Sequence, residues 1–129
     1  MPERTPIIPA GVSANPALSP GIRVGEFLFV SGNIGVDASG NLVGPGDCEA
    51  QSRQVMANIR AIVETAGGSM QNVVKITCFL TDVSNFPAYG KVRSETWPSS
   101  PPASSTVIVA ALVRPEYLVE VEAVVHIPG

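Results

Sequence analysis

The sequence predicts an α+β domain, a mixed β-sheet with two helices packed on one of its faces. Three observations carry this reading. Between residues 48 and 66 the apolar side chains Val55, Ile59, Ile62, Val63 and Ala66 fall at helical spacing. Val73 to Leu80 is a nearly continuous β-branched and apolar run. From residue 117 to 125 the chain alternates strictly, with Tyr117, Val119, Val121, Ala123 and Val125 on one face and Glu120 and Glu122 on the other.

The elements follow in order. Pro2, Pro6, Pro9, Pro16 and Pro20 exclude a regular helix and predict an extended arm over residues 1–20. Glu26 to Gly32 is a β-rich run, read as closing in a Ser31-Gly32 turn. Gly35 to Gly46 reads as loop, with Asp37 to Asn41 the tip of a hairpin. Asp47 is a suitable N-cap for a helix over about 48–66, whose apolar stripe also holds the polar residues Gln51 and Asn58. Gly67-Gly68 stops it. Val73 to Leu80 has the composition of a central strand covered on both faces. Thr81 to Ser84 turns the chain into a shorter helix, about 85–96, which tolerates Pro87 in its first turn. Gly90 weakens that helix by roughly 1 kcal/mol relative to Ala, and Pro98 to Pro102 ends it. Strands over Ser105–Ala110 and 117–125 complete a single domain spanning 1–129.

Composition narrows the function. With 45% hydrophobic and 15% charged residues, the chain is charge-poor for its 129 residues, which suggests that another subunit covers part of its surface. Eight Lys plus Arg, a formal charge of −3 and no basic stripe argue against nucleic-acid binding. Cys48 and Cys78 read as two free thiols in a reducing compartment. The polar start lacks a signal-peptide core, and no apolar run approaches the ~20 residues of a membrane span. The expected location is the cytoplasm. His126 shares parity with Glu120 and Glu122, but one His and two alternating Glu do not make a metal set, and His126 reads as a solvated terminal residue. Cys78 would need an activating base to act as a nucleophile, and Lys75 and Thr77 point the other way along the strand.

The paired glutamates leave an alternative open. If the second sheet face is wet, Glu120 and Glu122 are solvated surface groups. If other subunits bury it, Glu120 lies at a cleft, where an unpartnered carboxylate is costly unless it has work to do.

Five landmarks in order resemble the RidA/YjgF family over about residues 18–125. Val24 to Gly32 is similar to its N-terminal strand pair ending in Ser-Gly. Gln51 to Ile59 resembles its helical Q-x-x-x-x-x-x-N-I/L pattern, and Val73 to Asp82 its V-V-K-x-T-x-F-L-x-D strand. Pro102-Ala103 with Val107, and then Val119-Glu120-Val121-Glu122-Ala123, resemble its C-terminal P-A-R-x-x-V and V/I-E-I/V-E-A signature. The resemblance implies a chorismate-mutase-like fold assembled as a homotrimer with a barrel-like core and ligand clefts between subunits. It implies hydrolysis of reactive enamines and imines to carbonyl compounds and ammonia, without metal or organic cofactor. By the same resemblance Glu120 orients the attacking water, Thr106 lines the pocket, and backbone groups at Ser31 and Gly32 complete it.

The sequence departs from the family at the ligand end. The arginine that clamps a substrate carboxylate is replaced by Ser104. A charge-assisted bidentate contact contributes roughly 1.5–3 kcal/mol against about 1 for a neutral hydrogen bond, so Ser does not replace it. Gly90 stands for a frequent Asn, Arg93 for a frequent Tyr, and Leu18-Ser19-Pro20 for an aromatic segment. The expected substrate is therefore a small metabolite other than a simple 2-imino acid. A neutral or more apolar imine is one possibility; an acid held by a cation from elsewhere, Arg93 or Arg114, is another. A non-catalytic trimer that binds a metabolite is the third. A ribonuclease, a label some relatives carry, has no basic groove or His pair in this sequence to support it.

Overall fold

The computed structural model describes residues 3–129; Met1 and Pro2 of the expected arm lie outside the described residues. In chain order the elements are β1 (Arg4–Ile7), β2 (Gly21–Val24), β3 (Phe27–Ile34), α1 (Cys48–Thr65), β4 (Val73–Leu80), α2 (Phe86–Thr96), β5 (Ala103–Ile108) and β6 (Val119–His126). The strands form one six-stranded sheet in the order β1-β2-β3-β6-β4-β5. All neighbours are antiparallel except β4 and β5. That pair is parallel because α2 carries the chain back across one face between them. Both helices lie on that face, as the sequence predicts. Among the described residues, no helix is long and apolar enough to cross a membrane.

Helix α1 is secured at both ends. Asp47 is extended and its carboxylate accepts from the Ala50 N–H at 3.0 Å. At the other end Gly67 is left-handed, φ +91°, and its N–H and that of Gly68 return to Glu64 and Val63. Arg23 on β2 adds a cation to this C-terminus, donating to the Ala66 carbonyl at 2.6 Å and to the Ile127 carbonyl at 3.3 Å. The core lies between α1 and the sheet: Leu28 and Val30, Val55, Ile59 and Val63, Ile76 and Leu80, Val119, Val121 and Val125 are all buried. Trp97 closes α2 and donates its indole N–H to the Met70 carbonyl at 2.8 Å.

Two polar side chains tie the helix to the strands, one buried and one half-buried. Gln51 is fully buried; its amide donates to the Gly44 and Glu116 carbonyls, both at 3.2 Å, and accepts from the Leu118 N–H at 2.9 Å. Asn58, two turns on, donates to the carbonyls of Ile34 and Val36 at 3.2 and 2.9 Å. The end of β3 and the start of β6 are thereby held by the same helix.

Several sequence expectations need correction. Residues 31 and 32 are not a turn: β3 runs on through them to Ile34, and a β-bulge between Val30 and Asn33 absorbs the extra residue. Part of the proline-rich arm, Arg4–Ile7, is strand and pairs with β2 at the sheet edge. The β5 strand starts at Ala103 rather than Ser105, because the parallel ladder with β4 begins at Lys75–Ala103 and ends at Leu80–Ile108. The β6 strand starts two residues after Tyr117, since Gln51 takes the Leu118 N–H and Tyr117 closes a turn onto Arg114. Within the protomer β4 is covered on one face only. The other sheet face leaves Phe27, Phe29 and Val107 between 43% and 51% exposed.

Replacing Gln51 by Leu keeps the volume but strands three backbone groups. We expect Gln51→Leu to lower the unfolding free energy by about 2–3 kcal/mol, measured by urea denaturation, with an unchanged m-value.

Candidate functional site

Alternation along β6 turns Val119, Val121, Ala123 and Val125 into the core and leaves Glu120, Glu122 and His126 on the opposite face. Glu120 is cross-strand from Ile34 on β3 and Phe79 on β4. The bulge brings Gly32 beneath its carboxylate, so closely that a Cβ there would collide with the Glu120 carboxylate oxygen. Only a residue without a side chain leaves that carboxylate where it is.

Glu120 is half-buried. Burial, and then the neighbouring Glu122, push its carboxyl above the ordinary glutamate range. The described ion pairs occupy Glu26, Glu49, Glu64 and Glu95, and leave both Glu120 and Glu122 unpaired. The two carboxylates share a cleft of about 440 Å³ with Phe79, Val109, Ala111, Leu112 and Val113, the last four from the loop between β5 and β6. A half-buried base beside an open apolar cleft can take a proton from a water and face an electrophile.

The remaining candidates do not all gather here. Ser31 is spent on structure, its hydroxyl donating to the Ser19 carbonyl at 2.6 Å and its N–H to that of Pro20 at 2.9 Å. Ser104 and Thr106 pair with Ile76 and Cys78, whose side chains face the helices. Their own side chains therefore lie on the helix side of the sheet, opposite Glu120. Arg93 is on the helix side too. Its guanidinium stacks on the rings of Tyr89 and Phe86, 5.5 and 5.6 Å from their centroids. Arg114 is exposed in the turn before β6. Within one protomer Glu120 and Gly32 form one group, and Ser104, Thr106 and Arg93 another.

Sequence reasoning did not find the apolar loop from Val109 to Val113 as a cleft wall, nor the buried Tyr89. The Tyr89 hydroxyl lies beside Cys78 and Ser104 without a well-formed hydrogen bond. Burial pushes the Cys78 thiol up to about 12, which makes it a core group and not a nucleophile. His126 is half-exposed and, contrary to a merely solvated reading, pairs with Glu26 at 3.0 Å and packs on Phe27. A second depression, about 330 Å³, lies between the helices, and its Arg53 is committed to Glu49 and Glu95.

The chain matches the family model described as Endoribonuclease L-PSP over residues 10–127. It is similar to a solved Rid protein family member, YyfA from Yersinia pestis, with 32% identity, 97% of this chain and 100% of that one covered, and a TM-score of 0.90. RidA from an Antarctic Psychrobacter is 36% identical, with 90% and 93% covered and a TM-score of 0.82. A member of the YjgF/YER057c/UK114 family from Mycobacterium tuberculosis is 28% identical, with 97% and 100% covered and a TM-score of 0.83.

Two predictions follow from the Glu120 geometry. Gly32→Ala meets only the far end of a flexible side chain and needs no left-handed backbone. It should change stability by no more than about 1 kcal/mol while displacing the carboxylate, seen as a return of the Glu120 carboxyl titration toward the ordinary range by NMR. The second concerns pH. Because the folded-state pKa is raised, the folded protein holds this proton more tightly than the unfolded chain, so stability falls as pH rises through that window. Glu120→Gln removes the penalty. The variant should melt higher than the parent at about pH 7, and the gap should close near pH 3, below the ordinary carboxylate range.

Proposed function

The chain belongs to the RidA/YjgF family, also described as endoribonuclease L-PSP, and on that premise we propose that it is a cofactor-independent deaminase-type hydrolase. Its substrate is a reactive enamine or imine other than a simple 2-imino acid. The observation that carries the reading is Glu120: half-buried, unpaired, seated over Gly32 and open to an apolar cleft.

The chemistry asks little of the protein. Protonation of an enamine at carbon, or of its imine tautomer at nitrogen, gives an iminium, which is already electrophilic. Glu120 accepts a proton from water as the water oxygen bonds to the iminium carbon, and the C=N π pair moves to nitrogen. Glu120 then returns the proton to nitrogen; the C–N bond breaks with its electron pair leaving on nitrogen as ammonia, and the hydroxyl proton passes by way of Glu120 to that ammonia as the carbonyl forms, so that a ketone or aldehyde leaves with ammonium. Net, an iminium and a water become a carbonyl compound and an ammonium ion. A raised carboxyl pKa makes Glu120 a stronger base than an ordinary glutamate.

A cytoplasmic homotrimer suits this reading. The uncovered sheet face with Phe27, Phe29 and Val107 is the surface that barrel formation would bury. A neighbouring protomer could then bring its Ser104 and Thr106 to the cleft as hydrogen-bonding groups, with Ser31 and Gly32 lining the near wall. Arg93 or Arg114 would supply a cation if the substrate were an acid.

We expect Glu120→Gln to lower kcat for imine hydrolysis by about 10²-fold or more while substrate-analogue binding persists. Unchanged kcat would make the carboxylate structural; ligand binding with no turnover in the parent protein would make it a metabolite-binding trimer. Ser104→Arg should introduce hydrolysis of 2-imino acids, measured as ammonia release from freshly generated 2-aminoacrylate.

A further inference from the structure

We propose that Arg93 is the substrate-holding cation of the two-protomer cleft, and that it selects imines whose carboxylate stands away from the reacting carbon. The inference rests on the hydrolase reading and names its substrate class. Arg23, Arg53 and Arg60 each spend their guanidinium on backbone carbonyls or on a glutamate. Arg93 is half-buried, and among the described residues its guanidinium joins no hydrogen bond or ion pair. It is nonetheless held in place. The side chain runs back along α2, as helical side chains do, onto the rings of Tyr89 and Phe86 one and two turns earlier. A Cβ at position 90 would have one neighbour within 4 Å, an Arg93 guanidinium nitrogen at 3.8 Å. Gly90 thus leaves open the space over which the guanidinium lies. Stacking uses the face of the planar group and leaves the N–H edges for an oxyanion.

Tyr89 supplies a second, independent observation. Its side chain is fully buried, yet its hydroxyl is the one buried side-chain polar atom without a partner among the described residues. That hydroxyl lies beside Ser104, which is exposed on the edge strand β5. One tyrosine ring therefore joins the guanidinium to the Ser104 hydroxyl. Ser104 can accept from Tyr89 and donate to a carboxylate that Arg93 also holds, which gives the orphaned hydroxyl its partner. Gly90, Arg93 and Ser104 are also three positions at which the sequence departs from its family, and the fold collects them around this ring. The cation comes from the helix layer and not from β5 itself. When a neighbouring protomer brings this group opposite Glu120, the anion it holds is set back from the base behind the strand edge. A 2-imino acid carries its two groups on adjacent carbons and falls short of that span; a chain with intervening carbons covers it.

The test uses the full chain in its native oligomer and three carbonyl compounds of equal chain length, analogues of the hydrolysis products: 4-oxopentanoate, 2-oxopentanoate and pentan-2-one. By titration calorimetry 4-oxopentanoate should bind at least about tenfold more tightly than either of the others. Arg93→Met keeps an apolar stem on the rings and should bring 4-oxopentanoate to the level of pentan-2-one. Arg60→Met, which removes a positive charge elsewhere, should not. Should Arg93→Met fail to fold, the Arg93 side-chain N–H resonances of the parent protein report directly, and they should shift with 4-oxopentanoate but not with pentan-2-one. Binding of none of the three, equal affinities, tightest binding of 2-oxopentanoate, unmoved Arg93 resonances, or a preference that survives in Arg93→Met overturns the proposal. A preference lost in Arg114→Met and kept in Arg93→Met gives the cation to the turn before β6. Hydrolysis is scored separately, on aliphatic imines with and without a remote carboxylate. Turnover that depends on Glu120 but shows no Arg93-dependent preference keeps the hydrolase and removes this inference. An Arg93-dependent preference in binding without imine turnover removes the hydrolase and leaves Arg93 holding a metabolite.

Discussion

The structure depends on two amide side chains of helix α1, Gln51 fully buried and Asn58 half-buried. Gln51 and Asn58 sit two helical turns apart, on the stripe that faces the sheet. One fixes the Leu118 N–H at the start of β6; the other fixes the Ile34 carbonyl at the end of β3. Those two positions bracket the cross-strand pair of Ile34 and Glu120. A one-residue slip of β6 would send Glu120 into the core and a valine into the cleft. Hydrogen bonds that look like local loop anchoring thus decide which chemistry faces outward.

Given that register, the bulge in β3 completes the arrangement. Extra length between Val30 and Asn33 brings Gly32 beneath the carboxylate, and the missing side chain leaves room for it. Glu120 is then held in a place that water reaches incompletely, with Glu122 as a like-charged neighbour and, among the described residues, no ion pair to offset either. An isolated surface glutamate would show none of this. The proton affinity of the site is a property of strand pairing and packing, not of the residue type.

The two faces of the sheet separate the remaining residues that the sequence singled out. β5 presents Ser104 and Thr106 to the helix side, near Tyr89, Cys78 and Arg93, while β6 presents Glu120 to the other. Strand alternation makes this unavoidable within one chain. A cleft that uses both groups has to be built from two protomers, and the uncovered apolar face offers the area for such an assembly.

Much of this was legible in the residues themselves. Helical spacing, the Asp47 cap and the Gly67-Gly68 stop located α1, and the parity of residues 117–125 put the valines inward and the glutamates outward. Both are readable because local periodicity and capping obey near-neighbour chemistry. Tertiary structure alone decided the rest. It set the bulge that replaced the expected turn at Ser31-Gly32, the two-residue shift of β5, and the opposite sides taken by Ser104 and Glu120. Nothing local to those segments specifies their strand partners. Register and face are relations between strands distant in sequence, fixed only when the Gln51 and Asn58 amides and the β4 ladder bring them together.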